Sequence, residues 1–293
     1  MTLAANRFSA RIDPLGAELA SLRLEDGRDL LWPGDPEIWP DRAPLLFPVV
    51  GASPERTVRY GGRPAPMNMH GFARDMVWKV ERAGGREALL AIEDTPQTRE
   101  IYPFAFRLEL SCAIGDDALR MTARAINRGD TPMPASFGYH PGFRWPLDPA
   151  LRREDHLVLF EKAEPGPIRR VSLPSRLLDR RSFPSPVQVD SLRPRDELFE
   201  GGALIFDNPS SRAVWFGVPD RLGIEVGFPD MPHLGIWSRP GAGFLAIEPW
   251  RGLPAAEGSD GELAERPGIT LLAPGESFAC TMTIAVRPGP SWA

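Results

Sequence analysis

The chain has 293 residues, with 34 Lys and Arg against 39 Asp and Glu, and a formal net charge of -5. Charges of both signs are interspersed without a basic stripe, which argues against nucleic acid as a partner. No stretch of about 18 apolar residues occurs, so the sequence predicts no membrane-spanning helix. The 33 prolines and 28 glycines are spread along the whole chain, which is typical of many short strands joined by turns.

Fourteen segments have the apolar or alternating pattern of β-strands. Turn residues separate most of them, as in 25–28 and 114–117. In chain order, the predicted strands are 8–13, 17–24, 78–83, 88–93, 106–114, 118–127, 157–160, 202–206, 213–218, 222–227, 234–238, 244–248, 268–272 and 277–287.

Almost no window has the spacing of a long amphipathic helix, so we expect only short helical turns near 35–39 and 95–101. The segment 161–195 is rich in Pro, Arg and Ser and is predicted to be a long surface excursion between strands. No repeat and no domain boundary is visible. The sequence therefore predicts an all-β fold, a large antiparallel β-sandwich that forms a single domain over residues 1–293.

The two cysteines, Cys112 and Cys280, each lie within a predicted strand. A disulfide between them is one interpretation, and the preferred one is a pair of buried thiols in a reducing compartment. Residues 1–22 lack the pattern of a secretion signal, so the cytoplasm is the expected location. We expect a monomer or a homodimer.

Only four histidines occur, and two of them have informative surroundings. His70 precedes Gly71, and His140 precedes Pro141, so both are predicted to lie at strand ends or loop mouths, where catalytic groups are often held. The alternative is that each is a half-buried histidine bonded to a backbone carbonyl. His156 and His233 lack comparable surroundings, and for them we favour this structural interpretation.

Glu248 ends the apolar run 244–247 and is followed by a proline and Trp250. A carboxylate at the end of a buried strand is costly unless it is paired or functional. Desolvation beside Trp250 would raise its pKa toward the range that suits a general base. The alternative is an ion pair with an arginine, either Arg251 or Arg74.

Several classes of site are not indicated by the sequence. It has no histidine pair at helical spacing and no Cys-x-x-Cys, and it lacks a phosphate-binding loop and a nucleophile elbow. We therefore expect no metal and no cofactor. Eight tryptophans remain, and indole faces stack well on pyranose rings. Trp78, Trp237 and Trp250 lie nearest to the motifs described here.

Three segments in order carry a resemblance to a known family: His-Gly-Phe-Ala-Arg-Asp at 70–75, Gly-Tyr-His-Pro-Gly-Phe at 138–143 and Ile-Glu-Pro-Trp-Arg-Gly at 247–252. Together with 234–238, they resemble the aldose 1-epimerase (galactose mutarotase) family, particularly its LacX-like and hexose-6-phosphate-epimerase-like bacterial branch. The resemblance extends from about residue 12 to the final strand. It implies a galactose mutarotase-like supersandwich with a sugar site in a cleft on one sheet.

The resemblance also implies an activity, a cofactor-independent isomerase that interconverts the α and β anomers of an aldohexose. Glu248 matches the general base that takes the proton from the anomeric hydroxyl. His140 matches the general acid that protonates the ring oxygen, and His70 matches the second histidine, which binds and polarises that oxygen. We expect Glu248 and His140 on opposite sides of a pyranose-sized space. The expected partner is a small sugar, either free or phosphorylated.

The sequence departs from the family pattern at two places. The loop 47–56 lacks the expected pattern of an arginine beside an asparagine, so Arg74 is the expected sugar- or phosphate-facing arginine. Glycines 201–202 replace the substrate-binding aspartate, and Asp207 or Asp196 is the expected substitute. Trp237 is the third expected substrate-binding residue.

Two other functions remain open. A hexose-6-phosphate epimerase would need an arginine cluster, such as Arg74, Arg56 and Arg144, near the site. A carbohydrate-binding or sensing protein of the same fold would need no matched acid and base.

Overall fold

The computed structural model describes residues 1–292, and most of its regular structure is antiparallel β-strand. The only α-helix in this range, α1, is Pro96–Ile101, and five 3-10 turns lie at Pro54–Arg56, Ala73–Asp75, Arg153–Asp155, Asp196–Phe199 and Leu263–Glu265. The strands are β1 (Thr2–Ala4), β2 (Phe8–Asp13), β3 (Glu18–Leu24), β4 (Leu45–Leu46), β5 (Thr57–Tyr60), β6 (Arg63–Pro66), β7 (Lys79–Ala83), β8 (Glu87–Glu93), β9 (Phe106–Ile114), β10 (Ala118–Asn127), β11 (Met133–Ala135), β12 (Phe137–Tyr139), β13 (Gly142–Arg144), β14 (Leu157–Phe160), β15 (Val171–Ser172), β16 (Leu177–Leu178), β17 (Ser191–Leu192), β18 (Leu204–Phe206), β19 (Ala213–Gly217), β20 (Gly223–Gly227), β21 (His233–Trp237), β22 (Phe244–Arg251), β23 (Thr270–Leu272) and β24 (Ser277–Arg287).

The all-β prediction is confirmed. Each of the fourteen predicted strands is present, and its ends differ from the prediction by at most three residues. The sequence analysis missed the shortest strands, such as β4, β6 and β11. Two to four residues are too few to show an alternating pattern, and β6 contains two prolines, which sequence reasoning treats as turn residues.

Two sheets dominate the fold. The larger has nine strands in the order β17-β14-β19-β20-β24-β10-β9-β8-β7. The second has six, in the order β18-β21-β22-β12-β4 with β13 paired to β22. Tyr139 on β12 links the two sheets, because its buried hydroxyl accepts from the N–H of Ala123 and lies within hydrogen-bonding distance of the carbonyls of Met121 and Cys280, which share its single proton. The main hydrophobic core therefore lies between the sheets.

Successive side chains on β12 and β22 point to opposite faces of the sheet, and this alternation decides which of them point away from that core. Phe137, Tyr139 and Ile247 pack into it, so their neighbours His140 and Glu248 point to the other face of the six-stranded sheet. The sheet thus presents a carboxyl group and an imidazole on one face, on adjacent strands.

The connecting segments differ from the predictions in part. Residues 161–195 are not wholly a surface excursion, because Ile168, Leu178 and Leu192 are buried and β17 joins the edge of the nine-stranded sheet. Apolar side chains in this Pro- and Arg-rich segment anchor it to the body of the protein. The helical turn predicted near 95–101 is α1, whereas 35–39 forms only a hydrogen-bonded turn.

Cys112 and Cys280 are both buried and unpaired. They lie on β9 and β24, which β10 separates, so the disulfide interpretation is wrong. Burial raises the pKa of each thiol to about 12. No helix within residues 1–292 has the length and hydropathy that a membrane span requires.

Candidate active site

His140 and Glu248 are in direct contact. The register that pairs Gly138 with Trp250 and Gly142 with Ala246 brings position 140 opposite position 248. His140 Nε2 lies 3.0 Å from Glu248 Oε2, and the two residues are only 7% and 2% exposed. The expected pyranose-sized space between them is therefore absent in this structure, because the β12–β22 register leaves only hydrogen-bonding distance.

Burial shifts both groups toward their uncharged forms. Desolvation raises the pKa of Glu248 well above its usual value, and the neighbouring Trp250 indole N–H opposes this to a smaller extent. Desolvation likewise lowers the pKa of His140 to about 3, and the positive charge of Arg74 adds to this. When the carboxyl group and the imidazole are both uncharged, the pair holds one titratable proton, which is on the carboxyl group. The titration of the two groups is coupled. Such a pair can both donate and accept a proton.

His70 stands beside this pair, with its ring perpendicular to that of His140 and the ring centroids 5.6 Å apart. The backbone N–H of Gly51 donates to Nδ1 of His70 at 3.1 Å. A ring nitrogen that accepts a hydrogen bond carries no proton, so the neutral imidazole holds its proton on Nε2. Desolvation, followed by the charges of nearby groups, holds the pKa of His70 well below 6.5.

The loop that carries His70 is tightly constrained. His70 itself has a φ of +70°, and its N–H donates to the carbonyl of Gly51 at 3.0 Å. Gly71 follows with a φ of +77°, and a Cβ there would lie 2.0 Å from the carbonyl oxygen of Phe47. Only glycine fits this close approach, which explains the Gly after His70 in the motif.

Two tryptophans pack against His140. Trp39 lies 4.9 Å from it by ring centroids, at an interplanar angle of 35°, and Trp237 lies 5.7 Å away, nearly perpendicular. Trp39 approaches closely because residue 142 is glycine: a Cβ there would lie 2.5 Å from the indole. Sequence reasoning singled out Trp237 but missed Trp39, which lies in a Pro-rich turn without any strand pattern.

The other two tryptophans near the motifs have structural surroundings. Trp78 is buried in the main core and donates its indole N–H to the carbonyl of Ala73. Trp250 lies across Gly138 and Gly235, where a Cβ at either position would be 2.7 Å from the indole. Its own N–H is buried and makes no regular hydrogen bond within residues 1–292, although it is near enough to Glu248 to oppose part of the rise in the pKa of that carboxyl group.

Arg74 lies near both histidines, since its charge contributes to lowering the pKa of each. It forms an ion pair with Asp41 at 3.2 Å, which connects it to the segment that carries Trp39. Arg144, part of the predicted arginine cluster, donates instead to the carbonyl of Asp29 and does not join Arg74.

A cleft of about 730 Å³ opens on the side of His70. Arg56, Arg74 and Arg176 line it, and Arg176 was not predicted from the sequence. Its other lining residues are Ala52, Ser53, Glu55, Met67, Asn68, Met69, Asp75, Ser175 and Leu177. The three guanidinium groups outnumber the two carboxylates, so the cleft has a positive excess; His70, His140 and Glu248 are not among its lining residues, and Met69 and Arg74 of the His70 segment are.

The two aspartates expected to bind substrate lie outside this cluster. Asp207 pairs with Arg169 at 3.5 Å, and Asp196 pairs with Arg153 at 2.8 Å. Within residues 1–292, neither makes a hydrogen bond or an ion pair with His70, His140 or Glu248. These two expectations are not supported, because each carboxylate is engaged by an arginine of its own neighbourhood.

The remaining two histidines are bonded to the backbone. His156 is buried, with Nε2 accepting from the N–H of Leu147 and Nδ1 lying 2.9 Å from the carbonyl of Arg152. His233 bonds the carbonyl of Asp207 through Nδ1. Within residues 1–292, no group of three or more His, Cys, Asp or Glu side chains is arranged to hold a metal ion.

Comparisons with known proteins agree with this fold. LacX from Lactococcus lactis subsp. lactis is 28% identical over 276 residues, which is 91% of this chain and 92% of that protein. A galactose mutarotase-like protein from Lactobacillus casei has a TM-score of 0.91 at 27% identity, covering 98% of this chain and 99% of that one. A galactose mutarotase related enzyme from Lactobacillus acidophilus has a TM-score of 0.88 at 27% identity, covering 98% and 97%.

The family model for aldose 1-epimerase matches residues 1–197, a range that includes both His70 and His140. The structural likeness extends beyond this range and covers 98% of the chain. The chain therefore belongs to the aldose 1-epimerase family.

Proposed function

We propose that this protein is a mutarotase, an isomerase that interconverts the α and β anomers of an aldohexose without a cofactor. The observation that carries the proposal is the 3.0 Å contact between His140 Nε2 and Glu248 Oε2, with His70 beside it. Opening a pyranose ring requires a base at the anomeric hydroxyl and an acid at the ring oxygen. A carboxyl group and an imidazole that share one proton supply both.

The proposed reaction needs no proton from solvent. Glu248 as carboxylate takes the proton of the O1 hydroxyl, the C1–O5 bond breaks as the C1 carbonyl forms, and His140 as imidazolium protonates O5. The pair is then a neutral carboxyl and a neutral imidazole, the forms that burial favours. After rotation about C1–C2, the reverse transfers close the ring on the other face. Since the two groups touch in this structure, the sugar must separate them when it binds.

His70 is proposed to hold the ring oxygen. Because Gly51 donates to its Nδ1, His70 presents an Nε2–H that can donate to O5. A neutral donor at this place polarises the C1–O5 bond without competing with His140 for the proton. We assign Trp39 and Trp237 to the apolar face of the sugar, since both lie against His140.

A second candidate function is epimerisation of a hexose 6-phosphate. The observation that favours it is the cleft beside His70, in which Arg56, Arg74 and Arg176 could bind a phosphate. The third alternative, a carbohydrate-binding protein without turnover, does not account for a desolvated carboxyl–imidazole pair, since binding alone requires no matched acid and base.

Polarimetry or NMR of freshly dissolved α-glucose, α-galactose and the corresponding 6-phosphates tests the proposal. We expect mutarotation faster than in buffer and a loss of about 10²–10⁴-fold in Glu248→Gln. Glu164→Gln is the matched control, because Glu164 is also buried but accepts only from the backbone N–H groups of Ser210 and Ser211. Wild-type rates equal to buffer across the whole panel would overturn the proposal.

A further inference from the structure

Arg266 is a buried arginine without an acidic partner. It follows the 3-10 turn Leu263–Glu265 and is only 6% exposed. Within residues 1–292, no carboxylate lies within ion-pair distance of its guanidinium group. Desolvation lowers its pKa to about 9. Burying a cation in this way is unfavourable unless hydrogen bonds compensate for the lost hydration, so its contacts call for an explanation.

All the hydrogen bonds of this guanidinium go to neutral oxygens. It donates to the carbonyl of Leu253, to the hydroxyl of Ser53 and to the carbonyl of Ala52, each at 2.9 Å, and also to the carbonyl of Val50. Three of these acceptors belong to residues 50–53, and the fourth lies just after β22, the strand that carries Glu248. One side chain thus joins two segments that are distant in sequence.

Residues 50–53 are the segment that holds His70. Gly51 lies between two acceptors of Arg266, and it exchanges two hydrogen bonds with His70: its N–H donates to Nδ1, and its carbonyl accepts from the His70 N–H. Gly51 has a φ of +73°, and a Cβ there would lie 2.6 Å from Pro254. The segment is therefore packed directly against the residues that follow β22.

From this arrangement we propose that Arg266 is a positioning residue. Its guanidinium holds the carbonyls on either side of Gly51, so that the Gly51 N–H points at Nδ1 of His70 and keeps the His70 proton on Nε2. It acts through His70 and does not touch the sugar. This inference rests on the proposed function for its catalytic meaning, although the hydrogen-bond arrangement stands without it.

Two observations support a positioning role over a general contribution to packing. The acceptors surround the one backbone N–H that bonds the His70 ring, rather than a part of the core remote from the site. The charge of Arg266 also contributes to lowering the pKa of His70, which favours the neutral imidazole. A purely stabilising residue would have no effect on which nitrogen of His70 carries the proton.

The test is NMR of the histidine ring nitrogens, which distinguishes the Nδ1–H and Nε2–H tautomers. With only four histidines, single substitutions assign every signal. In the wild type we expect His70 as the neutral Nε2–H tautomer at pH 7. In Arg266→Met, we expect a mixture of tautomers, and in Arg266→Lys a partial return toward the wild-type signal. An Nδ1–H tautomer of His70 in the wild type would overturn the proposal. This measurement needs no variant, so the test can be made even if Arg266→Met does not fold.

Arg170→Met is the matched control, because the Arg170 guanidinium likewise bonds only neutral oxygens, the carbonyls of Leu198 and Gly202, and desolvation lowers its pKa. We expect it to leave the His70 signal unchanged. Where mutarotation is measurable, kcat of Arg266→Met should fall about tenfold or more while KM changes less. An Arg266→Met variant with the wild-type tautomer and kcat refutes the inference. An inactive wild type with the expected tautomer counts against the proposed function alone.

Discussion

The indole of Trp39 covers the imidazole of His140, with ring centroids 4.9 Å apart and planes inclined by 35°. Two contacts hold the Trp39 segment in place: the ion pair of Asp41 with Arg74, and the hydrogen bond from the Arg239 guanidinium to the carbonyl of Ile38. An aromatic side chain from a loop thus lies over half of the acid–base pair. Trp39 therefore shields His140 from water, and in the proposed function it would also contact the sugar.

The first prediction concerns this tryptophan. Trp39→Ala removes an aromatic face against which a pyranose can stack, so we expect KM for the sugar to rise roughly 3–10-fold. Trp39→Phe keeps an aromatic face and should retain most of the affinity. Initial rates of mutarotation against sugar concentration measure this. Wild-type KM in Trp39→Ala would remove Trp39 from the sugar site.

The second prediction is the pH dependence contributed by Glu248. Its pKa is raised in the folded protein, so its contribution to stability is present below the unfolded value of 4.5 and is lost as the pH rises through the folded pKa. Glu248→Gln resembles the protonated form at every pH. We therefore expect the variant to gain stability relative to the wild type from pH 4 to pH 8, as measured by urea unfolding. A difference that stays constant with pH contradicts a raised pKa.

The third prediction is the pH dependence of stability contributed by His140, which has the opposite sign to that of Glu248. Burial lowers the pKa of His140 from 6.5 to about 3, so the wild type should lose stability as the pH falls from 6.5 toward 3. The contribution of one such group is at most about 1.4 kcal/mol per pH unit. In His140→Asn this contribution is absent, and the free energy of unfolding should fall less steeply on the acid side. Identical slopes for the two proteins would show that His140 is protonated in the folded state.

The fourth prediction tests the backbone of the His70 loop. In Gly71→Ala, the new Cβ meets the carbonyl of Phe47 at a positive φ, so we expect a loss of about 2–5 kcal/mol in the free energy of unfolding. Gly61→Ala is the control, since Gly61 has a φ of +58° but nothing within 4 Å of the added Cβ. It should cost only about 1–2 kcal/mol. Equal losses for the two variants would mean that the close approach to Phe47 is unimportant.

The fifth prediction separates the free and phosphorylated sugars. If the cleft beside His70 binds a phosphate, Arg176→Met should raise KM for a hexose 6-phosphate about 10–100-fold and leave KM for the free hexose unchanged. Arg144→Met is the comparison, because the Arg144 guanidinium bonds the carbonyl of Asp29 outside the cleft. Equal effects of Arg176→Met on both sugars would exclude a phosphate site here.

Much of the fold could be predicted because the alternation of apolar and polar residues along a strand is a local feature of the sequence. Alternation on β9, β10 and β24 reflects the burial of every second side chain, and these strands appear at the predicted residues. On β22 the signal is instead a continuous apolar run, which Glu248 ends as a carboxylate after buried Ile247. Short strands such as β4 and β15 carry no such signal, since two residues are too few to show an alternation.

Several residues of the candidate site could be predicted from the sequence, but their arrangement could not. His70, His140 and Glu248 come together, whereas Asp207 is engaged by Arg169. Trp39 has no sequence signal, because its role depends on a loop that folds over a strand end. The glycine at position 142 leaves room for the Trp39 indole. This reason for a glycine can be recognised only once the contact is known.

The sequence by itself determined most of the strands, because the alternation of apolar residues depends on neighbours within a few positions, and its motifs predicted His70, His140 and Glu248 as site residues through their resemblance to a known family. Only the tertiary structure decided that His140 touches Glu248, that Trp39 covers His140, and that Arg266 reaches the loop behind His70. These contacts depend on the register between strands and loops far apart in the chain. A shift of one residue in that register would turn the side chains to the opposite face.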